Sequence, residues 1–184
     1  GRLQFIQNQL RGVVFVEGHT ALVRLILNDP DVAEADLLEV VVSLEVDREL
    51  RDAALNHSAV SDKAISSLVA EASGDRRQRL LAGVERPQVL REWARSPDPE
   101  ERRLVAFNPH TPQDAVDGLI DDEDPAVRAN VVFNPRVSVA RVGLIAVTDP
   151  DSDVQEAAES ALTTVAGWSL RQGRRWVFDP DTDV

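Results

Sequence analysis

Residues 98–109 read DPEERRLVAFNP, and residues 124–135 read DPAVRANVVFNP. The aspartate, the first proline, the arginine, the phenylalanine and the final Asn-Pro pair match at a shift of 26 residues. A period of about 20–50 residues is typical of repeat architectures, in which each copy is one supersecondary unit. The repeat therefore decides the fold.

Weaker copies of this stretch flank the matching pair. The spacing Asp-x-x-x-Arg recurs as Asp47/Arg51, Asp75/Arg79, Asp98/Arg102 and Asp124/Arg128, and as Asp151/Gln155 without the basic charge. The aspartates follow one another at steps of 28, 23, 26 and 27 residues. The spacing thus indicates an array that extends well beyond residues 98–135.

Each unit is predicted to begin with a short helix. Asp98 is a good N-cap, Pro99 suits the first helical position, and Glu101 is placed to complete a capping box. The Asn108-Pro109 pair ends the helix, because proline cannot continue it and restricts the preceding residue. The predicted buried stripe consists of Leu104, Val105 and Phe107.

A second helix is predicted to follow directly. Thr111 is its expected N-cap, Pro112 lies in its first turn, and Asp114 lies near the positive end of the helix dipole. Apolar residues then recur at helical spacing, at Ala115, Val116, Leu119 and Ile120. Residues 121–123 form the linker to the next unit.

Neither short helix can bury its apolar side alone, so neighbouring units must stack to make a continuous core. The chain has 43% hydrophobic but only 4% aromatic residues, which favours helix packing over a β-sandwich. We predict an all-α solenoid of about five two-helix units over residues 29–167. Terminal capping helices are expected, with an N-terminal capping segment at 1–28 and a C-terminal cap and acidic tail at 168–184.

The phrase VAFNPHTP at 105–112, followed by Leu119-Ile120 and by DPAVR at 124–128, resembles the leucine-rich repeat variant family. The resemblance is most specific over 98–135 and extends more weakly over 47–97 and 136–165. It implies a right-handed helical solenoid, similar in shape to HEAT and armadillo arrays, that serves as an interaction surface. An iron–sulfur cluster, known next to such repeats, is not implied because the chain has no cysteine.

No catalytic, cofactor or metal site is predicted. The chain lacks a Gly-x-Ser-x-Gly elbow and a glycine-rich phosphate loop, and its three histidines lie in different units. Residues 149–153 read DPDSD, as at the start of a calcium loop, but Val154 and Ser160 replace the required Gly and Glu. Absence of cysteine also excludes disulfides, thiolate zinc sites and cysteine nucleophiles. We therefore expect a protein that is not an enzyme.

Two sets of residues are candidates for partner binding. Arg102 and Arg128 could present an Asp–Arg ladder to a partner, or they could form i,i+4 ion pairs with their N-cap aspartates or bridge to the preceding repeat. The second set is the basic and aromatic cluster of Arg174, Arg175 and Trp176, which could bind a partner or form the C-terminal cap. The corner residues Asn56, Asn108 and Asn134 are expected to satisfy backbone groups of the turns.

The predicted function is a protein–protein interaction scaffold. The formal net charge of -12 favours a basic partner segment and makes nucleic-acid binding unfavourable. A nucleic-acid-binding module would require Arg102, Arg128, Arg136 and Arg141 to share one positive groove. A regulatory domain of a larger polypeptide is the third hypothesis. No apolar run is long enough for a membrane span and no leader is recognisable, so a cytoplasmic location is expected.

Overall fold

The computed structural model describes residues 23–42 and 48–165, together with the backbone of residues 168–171 and 175–178. Most of the predicted N-terminal capping segment and the acidic tail lie outside these residues. The chain divides into two compact units, residues 1–84 and 85–184.

The first unit is helical. After a helical stretch at 23–27, it contains α1 (Glu34–Val42), α2 (Arg48–Leu55), α3 (Asp62–Glu71) and α4 (Gly74–Gly83). Helix α2 packs against α1 and α4, and α3 packs against α4. The buried side chains are aliphatic, and the largest are Leu37, Leu55, Ile65 and Leu81.

The second unit contains α5 (Pro87–Trp93), α6 (Pro99–Phe107), α7 (Gln113–Ile120), α8 (Pro125–Val131), α9 (Val139–Thr148) and α10 (Ser152–Val165). Two strands follow, β1 (Trp168–Arg171) and β2 (Arg175–Phe178). Helix α8 packs against both α6 and α10, and α9 packs against α10. Its core is also aliphatic, built mainly from Val89, Leu90, Val105, Val116, Leu119, Val127, Val131, Ile145, Val154 and Ala158.

The predicted helical class is confirmed for the described residues up to 165, but the C-terminal end differs from the prediction. Strands β1 and β2 form an antiparallel hairpin in which Trp168 pairs with Phe178 and Arg171 with Arg175. A capping helix had been expected over this segment. Residues 168–171 alternate apolar and polar side chains, which is the period of a strand rather than a helix. After Gly173, residues 176–178 are Trp, Val and Phe, and aromatic and β-branched residues of this kind favour strands.

The first helices of the second unit begin where the repeat predicts. Asp98 and Asp124 are N-caps whose carboxylates accept hydrogen bonds from backbone N–H groups of the first turn, at 3.0 Å for Glu100 and 2.8 Å for Ala126. Asp151 does the same for Asp153, at 2.9 Å. Local capping chemistry thus fixes the start of α6, α8 and α10.

Two details of the predicted capping are wrong. The second helix α7 has Pro112 as its N-cap, while the buried Thr111 donates its hydroxyl to the Val105 carbonyl at 2.6 Å. Near α6, the carboxylate of Glu101 accepts a hydrogen bond from the Ser96 hydroxyl, and the Asp98 N–H donates to Ser96 Oγ at 3.1 Å. Ser96 therefore takes the place of the expected capping box.

The predicted buried stripe of the first helix is partly wrong. Val105 and Ala106 are fully buried, whereas Leu104 is half-buried and Phe107 is 61% exposed. Phe133, the equivalent residue of the next unit, is 41% exposed. Because successive helical residues turn by about 100°, a core contact centred on positions 105 and 106 leaves position 107 at the solvent edge.

Candidate functional site

The Arg102 side chain joins two linkers of the second unit. Its Nε and Nη2 atoms donate to the two carboxylate oxygens of Asp122 at 2.8 and 2.9 Å. Its Nη1 donates to the Ser96 carbonyl at 2.9 Å. The guanidinium therefore binds the linker after its own repeat, through Asp122, and the linker before that repeat, through Ser96.

Arg128, the equivalent residue of the next repeat, makes the same kinds of contact. Its Nε and Nη2 atoms donate to Asp149 at 2.9 Å each, and its Nη1 donates to the Asp122 carbonyl at 2.8 Å. In the repeat after that, Gln155 takes the place of the arginine and donates to the Asp149 carbonyl at 2.7 Å. It therefore keeps the contact to the preceding linker. Bidentate contacts of this kind fix both distance and orientation between neighbouring units.

These ion pairs shift the titration of the groups that form them. The hydrogen bond from Arg128 holds the pKa of Asp149 below its ordinary value. Burial raises the pKa of Asp122, but hydrogen bonds from Arg102 and from the Asp124 N–H lower it by more. The paired carboxylates raise the pKa of both arginines. All four groups are therefore charged near neutral pH.

The predicted i,i+4 pairing of Arg102 and Arg128 with their N-cap aspartates is thus wrong. The predicted bridge to the preceding repeat is present, through the carbonyls of Ser96 and Asp122, and a stronger bridge runs to the following one. The side chains of Arg102 and Arg128 are only 9% and 12% exposed. They are engaged in holding units together and present no free guanidinium to a partner.

The Asp75/Arg79 copy does not follow this scheme. Arg79 is exposed, and Arg77 donates instead to the Ala72 carbonyl at 2.9 Å. Arg51 approaches the neighbouring Asp52 at 3.4 Å. The sequence spacing in the first unit therefore overstates its similarity to the second.

The corner asparagines satisfy backbone groups, as predicted. Asn134 is buried and donates to the carbonyls of Ala106 and Asn108, at 2.8 and 2.9 Å. Its own side-chain oxygen accepts from the Arg136 N–H at 3.0 Å. In the first unit Asn56 donates to the carbonyls of Asp52 and Gly83, at 2.8 and 2.7 Å. Each of these asparagines thus joins the turn after its own helix to a neighbouring repeat.

Helices α6 and α8 run parallel, because the N-terminal end of one is bonded to the N-terminal end of the other, and likewise for the C-terminal ends. The Arg102–Asp122 pair joins their N-terminal regions, and the Asn134 side chain joins their C-terminal ends. Helix α10 extends the row, since it packs on α8 and is joined to it through Arg128 and Asp149.

The solvent-facing sides of α6, α8 and α10 form what we call the first-helix face. Its residues occupy equivalent repeat positions, namely Glu100, Arg103, Leu104 and Phe107 on α6, Ala126, Ala129 and Asn130 on α8 with Phe133 two residues after its end, and Asp153, Glu156, Ala157 and Ser160 on α10. All of them are exposed or half-buried. Positions spaced three, four and seven apart share one side of a helix, so each set lies on one side.

The parallel arrangement separates two kinds of side chain on this face. Each helix is capped by an aspartate and begins with acidic or small residues, so acids collect at the N-terminal edge. Phe107 is the last residue of α6 and Phe133 lies two residues after the end of α8, so the aromatics lie at the C-terminal edge. The face is therefore acidic at one edge and aromatic at the other.

The second helices offer a surface of mixed character. A groove of about 570 Å³ between α7 and α9 is lined by Asp117, Asp121, Arg136 and Arg141, among others. Asp121 and Arg141 are 3.3 Å apart, and both are exposed. Leu144 and Val147 of α9 are about half exposed, at 49% and 51%. Opposite charges alternate here, so the groove has no consistent preference for one ligand charge.

The proposed positive groove for nucleic acid is not formed. Arg102 and Arg128 are buried in ion pairs, and Arg141 faces Asp121. Within the described residues no group of three or more His, Cys, Asp or Glu side chains could hold a metal ion. No helix in the same part of the chain is both long and apolar enough to cross a membrane.

The C-terminal candidates fall at the margin of the described structure. Arg175 and Trp176 lie in β2, where Trp176 pairs with Leu170 across the hairpin. Arg174 lies outside the described residues. The side chains of this cluster are likewise not described, so its role stays a prediction.

The comparisons with known proteins give no relative from which a function could be transferred. No protein-family model matches the chain, and no curated protein or solved structure is significantly similar to it.

Sequence reasoning missed the acceptors that Arg102 and Arg128 use, although a signal was present. Asp122 and Asp149 each lie two residues before an N-cap aspartate, and Ser96 holds the same place before Asp98. In each copy the side chain at this position accepts from the N-cap N–H, at 3.1, 2.9 and 3.0 Å. The supposed start of a calcium loop at 149–153 is one copy of this linker.

Proposed function

We propose that the chain is a non-catalytic protein-binding scaffold, built as an α-solenoid of the kind found in leucine-rich repeat variant and HEAT arrays. The first-helix face is the binding surface. The observation that supports this most directly is that Phe107 and Phe133 are exposed at the same position of consecutive units, at 61% and 41%.

The internal contacts explain why these two residues point to binding rather than to packing. Val105, Ala106 and Val131 fill the core, and the ion pairs and asparagines join the units. The phenylalanines are required for neither task. Large aromatic side chains are enriched in protein interfaces, where burying one contributes about 1.5–3 kcal/mol.

The parallel packing of α6 and α8 adds to this support. Neighbouring helices lie about 8–10 Å apart, so two equivalent residues present paired apolar anchors on one surface. Such a pair can seat two side chains of one partner segment. A single exposed Phe would need no explanation, whereas repetition in register favours a shared role.

The test is selection of peptides by the intact chain. The chain is immobilised and panned against a phage-displayed library of random 18-residue peptides, and the enriched peptides are synthesised for fluorescence anisotropy. We expect binding to F107S/F133S to weaken at least about tenfold, as for loss of interface anchors. The matched control L144S/V147S removes two exposed apolar residues from the second helices and should retain affinity.

Two results would contradict the proposal. One is that no peptide is enriched above the background of the library. The other is that both double variants lose affinity equally, which would show non-specific apolar adsorption instead of a defined face.

A further inference from the structure

We infer that the partner of the first-helix face is an amphipathic helix with one apolar and one basic side, lying across α6, α8 and α10. This inference rests on the proposed function and specifies its partner. It is carried by the separation of aromatic and acidic side chains to opposite edges of the face.

The acidic edge follows from how the helices begin. Asp98, Asp124 and Asp151 cap three parallel helices, and a negative charge there is stabilised by the helix dipole. Further acids add to the same end, since the side chain of Glu100 is 69% exposed and that of Glu123 is 89% exposed. Capping chemistry thus gives three consecutive units a common negative edge.

The basic side chains near that edge are too few and too engaged to cancel its negative charge. Arg103 is bound to Glu100 at 2.7 Å, and Arg102 is buried beneath the surface against Asp122. On α10 the face carries Asp153 and Glu156, both exposed. Complementary charge on a partner would therefore be positive, which also speeds encounter between the two molecules.

The dimensions of the face fit a helix. Seven residues separate the acidic position 100 from the aromatic position 107, a rise of about 10 Å at 1.5 Å per residue. The diameter of an α-helix with side chains is about 10–12 Å, so one helix covers both edges at once. Between them lie short or half-buried side chains, including Ala129 and Ala157, which leave room for close approach.

The spacing along the partner also matches. Phe107 ends α6 and Phe133 lies just beyond α8, and the axes of such neighbouring helices are about 8–10 Å apart. Residues i and i+7 of a helix lie on one side at about 10 Å, so two such apolar residues reach both anchors. Basic residues on the other flank then face Glu100 and Glu156.

A second copy of this chain is a less suitable occupant. Its formal net charge of -12 opposes contact between two acidic faces. Nucleic acid is disfavoured for the same reason. Self-association is nevertheless measured directly in the test, because the C-terminal hairpin carries arginines of its own.

The experiment uses the 18-residue peptides selected by the intact chain. Enriched sequences should contain apolar residues spaced by three, four and seven, with Lys or Arg on the adjoining side. Their affinity is measured for the wild type, for E100R/E156R, and for the control D114R/D117R, which reverses two exposed acids on α7. Raising salt from 50 to 500 mM then tests the charge contribution.

We expect E100R/E156R to weaken binding about tenfold or more and D114R/D117R to change it less than about threefold. Added salt should weaken wild-type binding and leave E100R/E156R almost unaffected. Circular dichroism checks that each variant remains folded, and replacing the basic residues of a selected peptide by glutamate gives a second route that needs no protein variant.

The outcomes separate the two proposals. Peptides that depend on Phe107 and Phe133 but carry no basic residues, or that tolerate E100R/E156R, overturn the inference and leave the scaffold function standing. Loss of all selective binding overturns the function itself. Sedimentation that shows dimers in the wild type and monomers in F107S/F133S would assign the face to a second copy and overturn the inference.

Discussion

The guanidinium group of Arg128 binds Asp149 through two hydrogen bonds of 2.9 Å, and the same group donates to the Asp122 carbonyl at 2.8 Å. Arg128 thereby ties together the start of α10 and the start of α8. The contact is buried on both sides, with side-chain exposures of 12% and 7%. It is a bidentate ion pair between these two repeats.

Removal of Arg128 should therefore destabilise the fold. R128A leaves the buried Asp149 carboxylate without its partner, and breaking one side of a buried pair costs about 3–5 kcal/mol. R128K retains the charge but cannot make the bidentate contact, so we expect an intermediate loss. Urea unfolding measures both, with exposed Arg79 replaced by Ala as the control. A similar small loss for R128A and R79A would refute the role.

Acid should weaken the same link. The pKa of Asp149 in the folded protein lies below its ordinary value of about 3.9, so the contribution is complete above that pH and is lost as pH falls through the folded pKa. The difference in unfolding free energy between wild type and D149N should then be large at pH 7 and shrink below about pH 4. A difference that stays constant over this range would contradict the assignment.

Asn134 should be a further point of sensitivity. N134A removes the side-chain donor from the buried Ala106 carbonyl and leaves the Asn108 carbonyl with the Thr111 N–H alone, at a cost of about 1–3 kcal/mol. Asn130 lies four residues earlier and donates only within its own helix, to Ala126. N130A should therefore change stability by less than about 0.5 kcal/mol. Thermal unfolding of the two variants distinguishes an asparagine that joins two repeats from one that bonds only within its own helix.

Exposure of Phe107 should make its replacement harmless to folding. F107S is expected to alter the unfolding free energy by less than about 1 kcal/mol, because the ring is largely in solvent already. V105A removes two buried methyl groups two residues earlier and should cost about 2 kcal/mol or more. If F107S proves as damaging as V105A, Phe107 belongs to the core and the proposed face fails.

Two helix-interior glycines should accept alanine. At Gly118 and Gly143 a Cβ atom would meet nothing within 4 Å, and neither has a positive φ. G118A and G143A should each stabilise the protein by about 0.5–1 kcal/mol, through the lower entropy of the unfolded chain and better helix propensity. At Gly83 the same change would overlap the Asp52 carboxylate, so G83A is the contrasting control. Urea midpoints in the reverse order would reject this explanation.

How much the sequence could predict depended on how local each interaction is. The starts of α6 and α8 were predicted because an N-cap acts within its own first turn. The partner of Arg102 was not, since an aspartate four residues away and one twenty residues away are equally plausible without the packing. Phe107 was misassigned because apolar spacing identifies a side of the helix but not where the core contact ends.

The copy at Asp75/Arg79 and the C-terminal hairpin illustrate the same limit. Arg77, two residues earlier than expected, makes the carbonyl contact, and a pattern of identical spacing cannot reveal that shift. The segment from residue 168 was expected to form a helical cap, although the alternation at 168–171 and the Trp-Val-Phe run at 176–178 favour strands. In both places a short motif was given more weight than the periodicity around it.

The linkage through Arg102, Arg128 and Gln155 has a consequence for the length of the molecule. Residues 99–124 carry a donor for the preceding repeat, since Arg102 binds the Ser96 carbonyl, and an acceptor for the following one, since the Asp122 carbonyl binds Arg128. Duplicating residues 99–124 in place would preserve every such junction and lengthen the protein by one repeat. Gln155 has no guanidinium group, so a repeat added after α10 would need an arginine at this position to form the same bidentate ion pair.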